Sequence, residues 1–266
     1  MEILGYISSI IMGLVLGVIG GGGSILTVPI LVYLMGVAPD TATGYSLLLV
    51  GLTASYGAVR YFRQGLIDVP ASIAFAAPSI VAVYLTRAFL MPAIPAEISI
   101  FGLVIMKNVA IMVVFALLML VSATMMLKKA YAPEYAVNEE SEVIHTRWIL
   151  IMIEGALVGI VTGVLGAGGG FLIIPALVLF MGMSMHKEVG ASLFIIALKS
   201  LIGFVGDLQA GIEIMLPMIP LMLVATFVGM FLSTHISSKL NGKALQKIFA
   251  FFTLIIAIVI ISKELL

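Results

Sequence analysis

Residues 13–65 return without a gap as residues 159–211. In that register Gly17, Gly20, Gly22 and Gly23 fall on Gly163, Gly166, Gly168 and Gly169, Pro29 falls on Pro175, and Met35-Gly36 on Met181-Gly182. Further on, Gly44 falls on Gly190, Ser46-Leu47 on Ser192-Leu193, Gly57 on Gly203 and Gly65 on Gly211. About twenty of the fifty-odd aligned positions are identical, and many are Gly, Pro or Ser. Shared hydrophobicity does not select those residues, so the chain reads as a duplicated unit whose two halves must fold alike. Beyond Thr86 the register slips. An insertion around Ile98 to Met106 accounts for the slip, and its apolar character marks it as an interfacial segment.

The medium follows from composition. Apolar residues make up 62% of the 266 residues and charged ones 10%, with 13 Lys+Arg against 13 Asp+Glu and a mean hydropathy of +1.28. Soluble domains average about 45–50% apolar and about 25% charged. A water-soluble enzyme, a nucleic-acid binder and a disordered chain are excluded on these grounds. Runs of spanning length recur at 42–59, 69–86, 109–127, 189–205, 214–235 and 248–261, since about 20 apolar residues cross the hydrocarbon as a helix. The N-terminus has no basic region and no small-residue cleavage pattern, and is read as part of the fold. With no Cys, and with His145, His186 and His235 at the ends of apolar runs, neither a metal site nor a cofactor is expected.

Loop charge gives orientation, because short cytoplasmic loops carry the Lys/Arg excess. Arg60 and Arg63 follow the run ending at Val59, whereas the equivalent turn after Val205 holds Asp207, Gln209 and Glu213. The next pair is biased the other way, with Arg87 and Lys107 in the first half against Lys239, Lys243 and Lys247 in the second. Equivalent loops are therefore placed on opposite sides of the membrane. The expected class is an all-α polytopic membrane protein of two inverted repeats, each a glycine-broken helical hairpin plus three transmembrane helices. Its parts are a first repeat at 1–127, a polar linker at 128–147 whose basic ends place it in the cytoplasm, and a second repeat at 148–266.

In that topology the stretch from Ile3 to Met35 enters and leaves on one side, with its bend at Gly20-Gly21-Gly22-Gly23-Ser24 inside the membrane. The second hairpin, Trp148 to Met181, enters from the cytoplasm and bends at Gly166-Ala167-Gly168-Gly169-Gly170. The two bends are expected to meet near the midplane and to face a shared aqueous pocket, because unpaired main chain facing lipid costs several kcal/mol per group. Glycine accepts the backbone angles of a tight turn and keeps side chains out of the way. A helix starting at such a bend aims free amides and a partial positive charge inward, an arrangement that favours anions and that transporters with inverted repeats use. Close helix packing through small residues is the competing reading. A phosphate loop is excluded, since no Gly-Lys-Ser/Thr follows either run.

Lys199 lies about ten residues into its apolar run, too deep to reach either surface easily, and a cation there is a functional-site hypothesis by default. Glu154 is the acid clearly inside an apolar run. Either Lys199 attracts an anion while Glu154 carries a coupling proton, or the two form a structural ion pair. Hydroxyls that qualify as ligand donors are Ser24, Thr43, Ser46, Thr53, Ser55, Ser192 and Ser200, with Ser24 favoured by its place at the bend and Ser46 and Ser192 by their symmetry. The alternative for each is a bond to its own helix backbone. Tyr45 and Tyr56 read as packing or gating residues. The candidate substrate site is thus Gly20, Gly21, Gly22, Gly23, Ser24, Ser46, Gly166, Gly168, Gly169, Gly170, Ser192 and Lys199.

These residues resemble the TauE/SafE family of membrane permeases, often called sulfite exporters. The resemblance rests on GxxGGGGSxLxVPxL at Gly17 to Leu31, on SLxxxGxxAxxGxxRYxxxGxID at Ser46 to Asp68, and on the second copy from Gly163 to Gly211. It implies two related bundles and export of sulfite or small organosulfonates. The function expected is a secondary transporter of a small sulfur-containing oxyanion in a prokaryotic inner membrane, working by alternating access and having no enzymatic activity. An anion channel built on the same bends is the alternative. An intramembrane enzyme would have only a Ser with Lys199 as base to work with. The expected partners are the small anion and the lipid bilayer, with an oligomer of identical chains left open and no nucleic acid.

Overall fold

The computed structural model describes residues 2–100, 103–131, 144–166, 168–170, 185–236 and 242–265. Helix α1 (Glu2–Ile19) is apolar apart from Glu2, Ser8 and Ser9 and stops at Gly20, whose φ of 76° reverses the chain. The returning arm is not the plain α-helix expected. It runs as a 3₁₀ turn over Gly21–Leu26, one α turn over Thr27–Pro29 and a π turn over Ile30–Leu34. Pro29 accounts for one break in the regular ladder, because it lacks an N–H and its ring displaces the carbonyl four residues back.

Helix α2 (Pro39–Arg63) starts with Pro39 and Asp40 and ends with Arg60 and Arg63, charges that complement its dipole. Helix α3 (Val69–Leu85) is capped by Asp68, whose side chain accepts from the Ala71 amide at 3.1 Å, and it continues as a π turn over Thr86–Leu90. The expected interfacial insertion is an antiparallel hairpin of two strands, β1 (Glu97–Ile100) and β2 (Leu103–Met106), with Glu97 opposite Met106. Its Val104 and Met106 are exposed. Helices α4 (Lys107–Tyr131), α5 (Ile144–Leu165), α6 (Met185–Gln209), α7 (Met218–Ile236) and α8 (Gly242–Leu265) follow. Five helices among the described residues are long and apolar enough to cross a membrane, and 23–34, 149–165 and 218–233 form shorter apolar ones. Of the second hairpin's returning arm, residues 171–184 lie outside the described residues, as do 132–143 of the linker.

The helices pair across the two halves of the sequence. α1 packs along α7, and its repeat equivalent α5 packs along α3. α2 packs on its own equivalent α6, and α4 on its equivalent α8. Glycines set the first two contacts. Gly13 and Gly17 lie against Thr226 and Ser233, while Gly155, Gly159 and Gly163 lie against Phe75, Ser79 and Thr86, so each pair runs parallel. Along α2 and α6 the order is reversed, with Gly44 near Asp207, Gly51 near Leu201, Gly57 near Leu193 and Tyr61 near Gly190. These two helices are therefore antiparallel. Lys247, near the start of α8, sits 4.0 Å from the ring centre of Tyr131 at the end of α4, as antiparallel packing there requires. Without water in the hydrocarbon, small residues that let backbones approach supply the dispersion contact that holds such pairs.

Candidate functional site

The two glycine bends meet. Gly21 packs backbone to backbone on Gly170, so that a Cβ on either would fall into the main chain of the other. A Cβ on Gly168 would lie 2.7 Å from Val50, 3.2 Å from the Ser24 Cβ and 3.5 Å from Ile196. Val50 and Ile196 are near the middles of α2 and α6, which puts the meeting point midway along the two longest central helices. The first bend turns at Gly20 beside Val189 and Ser192 of α6, and the second at Gly166 beside Thr43 of α2. These contacts are equivalent under the repeat. Gly166, Gly168 and Gly169 have φ of 68°, 62° and 63°, a region that costs other L-residues roughly 1–2 kcal/mol each. The shared aqueous pocket expected between the bends is not what the structure shows: Gly20, Gly21, Gly23, Ser24, Gly166, Gly168, Gly169 and Gly170 are all buried, with Gly21 and Gly170 in direct backbone contact.

Lys199 stands at this junction. It is fully buried at the middle of α6, its Nζ donates to Thr162 Oγ1 at 3.0 Å, and a Cβ on Gly169 would sit 2.5 Å from that nitrogen. Glu154 is not its partner, which corrects the pairing expected from sequence. Glu154 is half-buried on α5, eight residues before Thr162 and so about 12 Å away along the helix axis. In the first half the place of Lys199 is taken by Thr53, whose hydroxyl is 2.8 Å from that of Thr226. One half thus supplies a buried amine bonded to Thr162 where the other supplies a bond between two hydroxyls.

The hydroxyls divide into two groups. Ser24 donates to the Gly21 carbonyl at 2.7 Å, Ser192 to Val189 at 2.9 Å, Thr53 to Leu49 at 2.7 Å and Ser55 to Gly51 at 2.7 Å. Ser46 and Ser200 are buried with no hydrogen-bond partner for Oγ, a state that costs about 1–3 kcal/mol per group. Tyr45 donates to the Glu213 carbonyl and so ties α2 to the turn after α6. Tyr56 meets Phe227 edge to face, with ring centres 6.2 Å apart.

Loop-charge reasoning missed an ion pair. Arg87 is not in a loop; it sits in the π turn that extends α3 and is 1% exposed, and Asp207 belongs to α6. Arg87 Nη1 lies 3.3 Å from Asp207 Oδ1 and donates to Thr43 Oγ1 at 3.1 Å. The signal was present in the sequence, since residues 69–93 form one apolar stretch whose sole cation is Arg87.

Two glycine bends in contact and a buried lysine against one of them form a polar junction inside an apolar body. Among the described residues no cluster of His, Asp and Glu has the arrangement of a metal site. Over 194 residues the chain is 28% identical to a probable membrane transporter protein of Xylella fastidiosa, covering 72% of this chain and 68% of that one. Over 228 residues it is 25% identical to the probable membrane transporter protein YunE of Bacillus subtilis, covering 78% and 80%. No solved structure matches the chain. Residues 6–260 match the family described as Sulfite exporter TauE/SafE, and with glycine bends from both halves joined at mid-depth in an apolar bundle, the chain belongs to this family of membrane transporters.

Proposed function

We propose that the protein is a secondary transporter that exports sulfite or a small organosulfonate across the cytoplasmic membrane by alternating access between two inverted halves. The observation that carries this reading is the contact of Gly21 with Gly170 at the depth of Lys199. Main chain from both halves and one cation converge there, where an anion stripped of water needs amide and ammonium donors. The antiparallel packing of α2 on α6 supports the inverted relation, because two equivalent helices run in opposite directions only when the halves are inserted oppositely. The site comprises Gly20 to Ser24, Ser46, Gly166, Gly168, Gly169, Gly170, Ser192 and Lys199, with Glu154 as the coupling group.

The test is counterflow of labelled sulfite in liposomes, with sulfate, phosphate and acetate as competitors, for the parent chain and Lys199→Met. The parent should concentrate label against unlabelled sulfite, and a channel would not. Lys199→Met should lose about tenfold or more of the exchange rate, equivalent to about 1.4 kcal/mol. Full exchange in the variant would remove Lys199 from the site.

A further inference from the structure

Arg87 is bonded on only part of its guanidinium. Of its five N–H donors, those on Nη1 face Asp207 Oδ1 and Thr43 Oγ1, while Nε and Nη2 have no hydrogen-bond partner although the residue is 1% exposed. Asp207 Oδ2 is likewise buried and without a partner. Arginine–carboxylate pairs are frequently made through two parallel bonds. Here there is one, at 3.3 Å, beyond the usual 2.7–2.9 Å or so of a charge-assisted bond. The unused Nε and Nη2 lie on one edge of the group, the edge that matches two oxygens of a single oxyanion.

Through Nη1 and Thr43, Arg87 is connected to the glycine junction. Thr43, which accepts from Arg87, packs its backbone directly on Gly166, and three residues further along the same bend Gly169 meets Lys199 Nζ. The two buried basic side chains therefore stand at the two ends of one bend. Asp207 follows Lys199 by eight residues on α6, which separates the two levels by about 12 Å along the helix. The carboxylates of Asp207 and Asp40 both act on Arg87, yet neither is a hydrogen-bond partner of Nε or Nη2, and a buried donor left without a partner is costly.

We propose that the Nε–Nη2 edge of Arg87 is a second oxyanion subsite, at the end of the second glycine bend away from Lys199, with Asp207 as the counter-charge that holds the guanidinium when no anion is bound. Its ligands are anions with two oxygens on one centre: sulfite, sulfonates and carboxylates bind, and halides do not. The proposal rests on the oxyanion reading given above, and the test separates the two.

The full-length protein is purified in detergent and reconstituted, and two readings are taken: the melting shift caused by sulfite, methanesulfonate or chloride, and counterflow of labelled sulfite. Two variants are compared with the parent. Arg87→Gln with Asp207→Asn removes both charges together and so leaves neither unpaired in the interior, while Arg87→Lys keeps the charge opposite Asp207 but lacks the two-donor edge. The parent should be stabilised by sulfite and methanesulfonate and not by chloride. Arg87→Lys should melt close to the parent yet lose the sulfite shift and about tenfold or more in exchange. The double variant should lose both as well. An Arg87→Lys protein with parental shift and exchange overturns the subsite, and so does a folded double variant that retains them, since either result makes the pair structural only. A parent protein that neither binds nor exchanges any of these oxyanions overturns the transport reading and the subsite with it.

Discussion

Glycine appears in this protein for two physical reasons, and single substitutions separate them. At Gly21 the constraint is space, because a Cβ would enter the backbone of Gly170, which has no side chain to turn aside. At Gly65 the constraint is the φ of 68°, with nothing within 4 Å of a Cβ. Gly21→Ala is expected to destabilise by about 1–3 kcal/mol through overpacking, lowering the melting temperature by roughly 2–4 °C per kcal/mol in a chain of this size, and to abolish exchange by prising the bends apart. Gly65→Ala should lose only about 1 kcal/mol, the left-handed backbone penalty, and keep transport. Thermal unfolding in detergent alongside counterflow distinguishes the two, and equal transport losses would show that the junction has no special role. Lys199 illustrates the same division between location and function. The sequence placed it at depth, but its acceptor Thr162 lies on another helix 37 positions away, and only the fold brings them together.

Between elements, direction is the informative quantity. Tyr61 and Gly190 stand at opposite ends of α2 and α6, yet a Cβ built on Gly190 would lie 3.1 Å from that of Tyr61, close to the separation of about 3.8 Å that a disulfide spans. The absence of Cys provides a clean background. Tyr61→Cys with Gly190→Cys should cross-link on mild oxidation, whereas Tyr61→Cys with Gly206→Cys, which a parallel arrangement would favour, should not. Electrophoretic mobility with and without reductant reads the outcome. The returning arm of the first hairpin shows where local sequence rules reached their limit. Pro29 was visible as an interruption, but the replacement of an α-helix by successive 3₁₀, α and π turns depends on how the arm packs against α1 and α2.

At the scale of the whole molecule, the arrangement of charge predicts which surfaces face which compartment. Single cysteines introduced at Arg63, Asn138 and Lys239 should react with an impermeant thiol reagent only from the cytoplasmic side, and those at Asp40 and Gln209 only from the other. Uniform labelling of Arg63 and Gln209 from one side would contradict the inverted insertion proposed here. The sequence alone determined the membrane as medium, the recurrence of the glycine runs and the place of Lys199 in the middle of an apolar run. Each of these follows from residue type and spacing along one chain. Tertiary structure decided which helix lies on which, that the bends close on each other, that Thr162 and not Glu154 satisfies Lys199, and that Arg87 leaves the loop to meet Asp207 120 positions away. Apolar runs in lipid have no periodic contrast between buried and lipid-facing sides, since both are hydrocarbon. Pairing is therefore set by small-residue fit and a few polar contacts between distant segments, and those are properties of the assembled bundle.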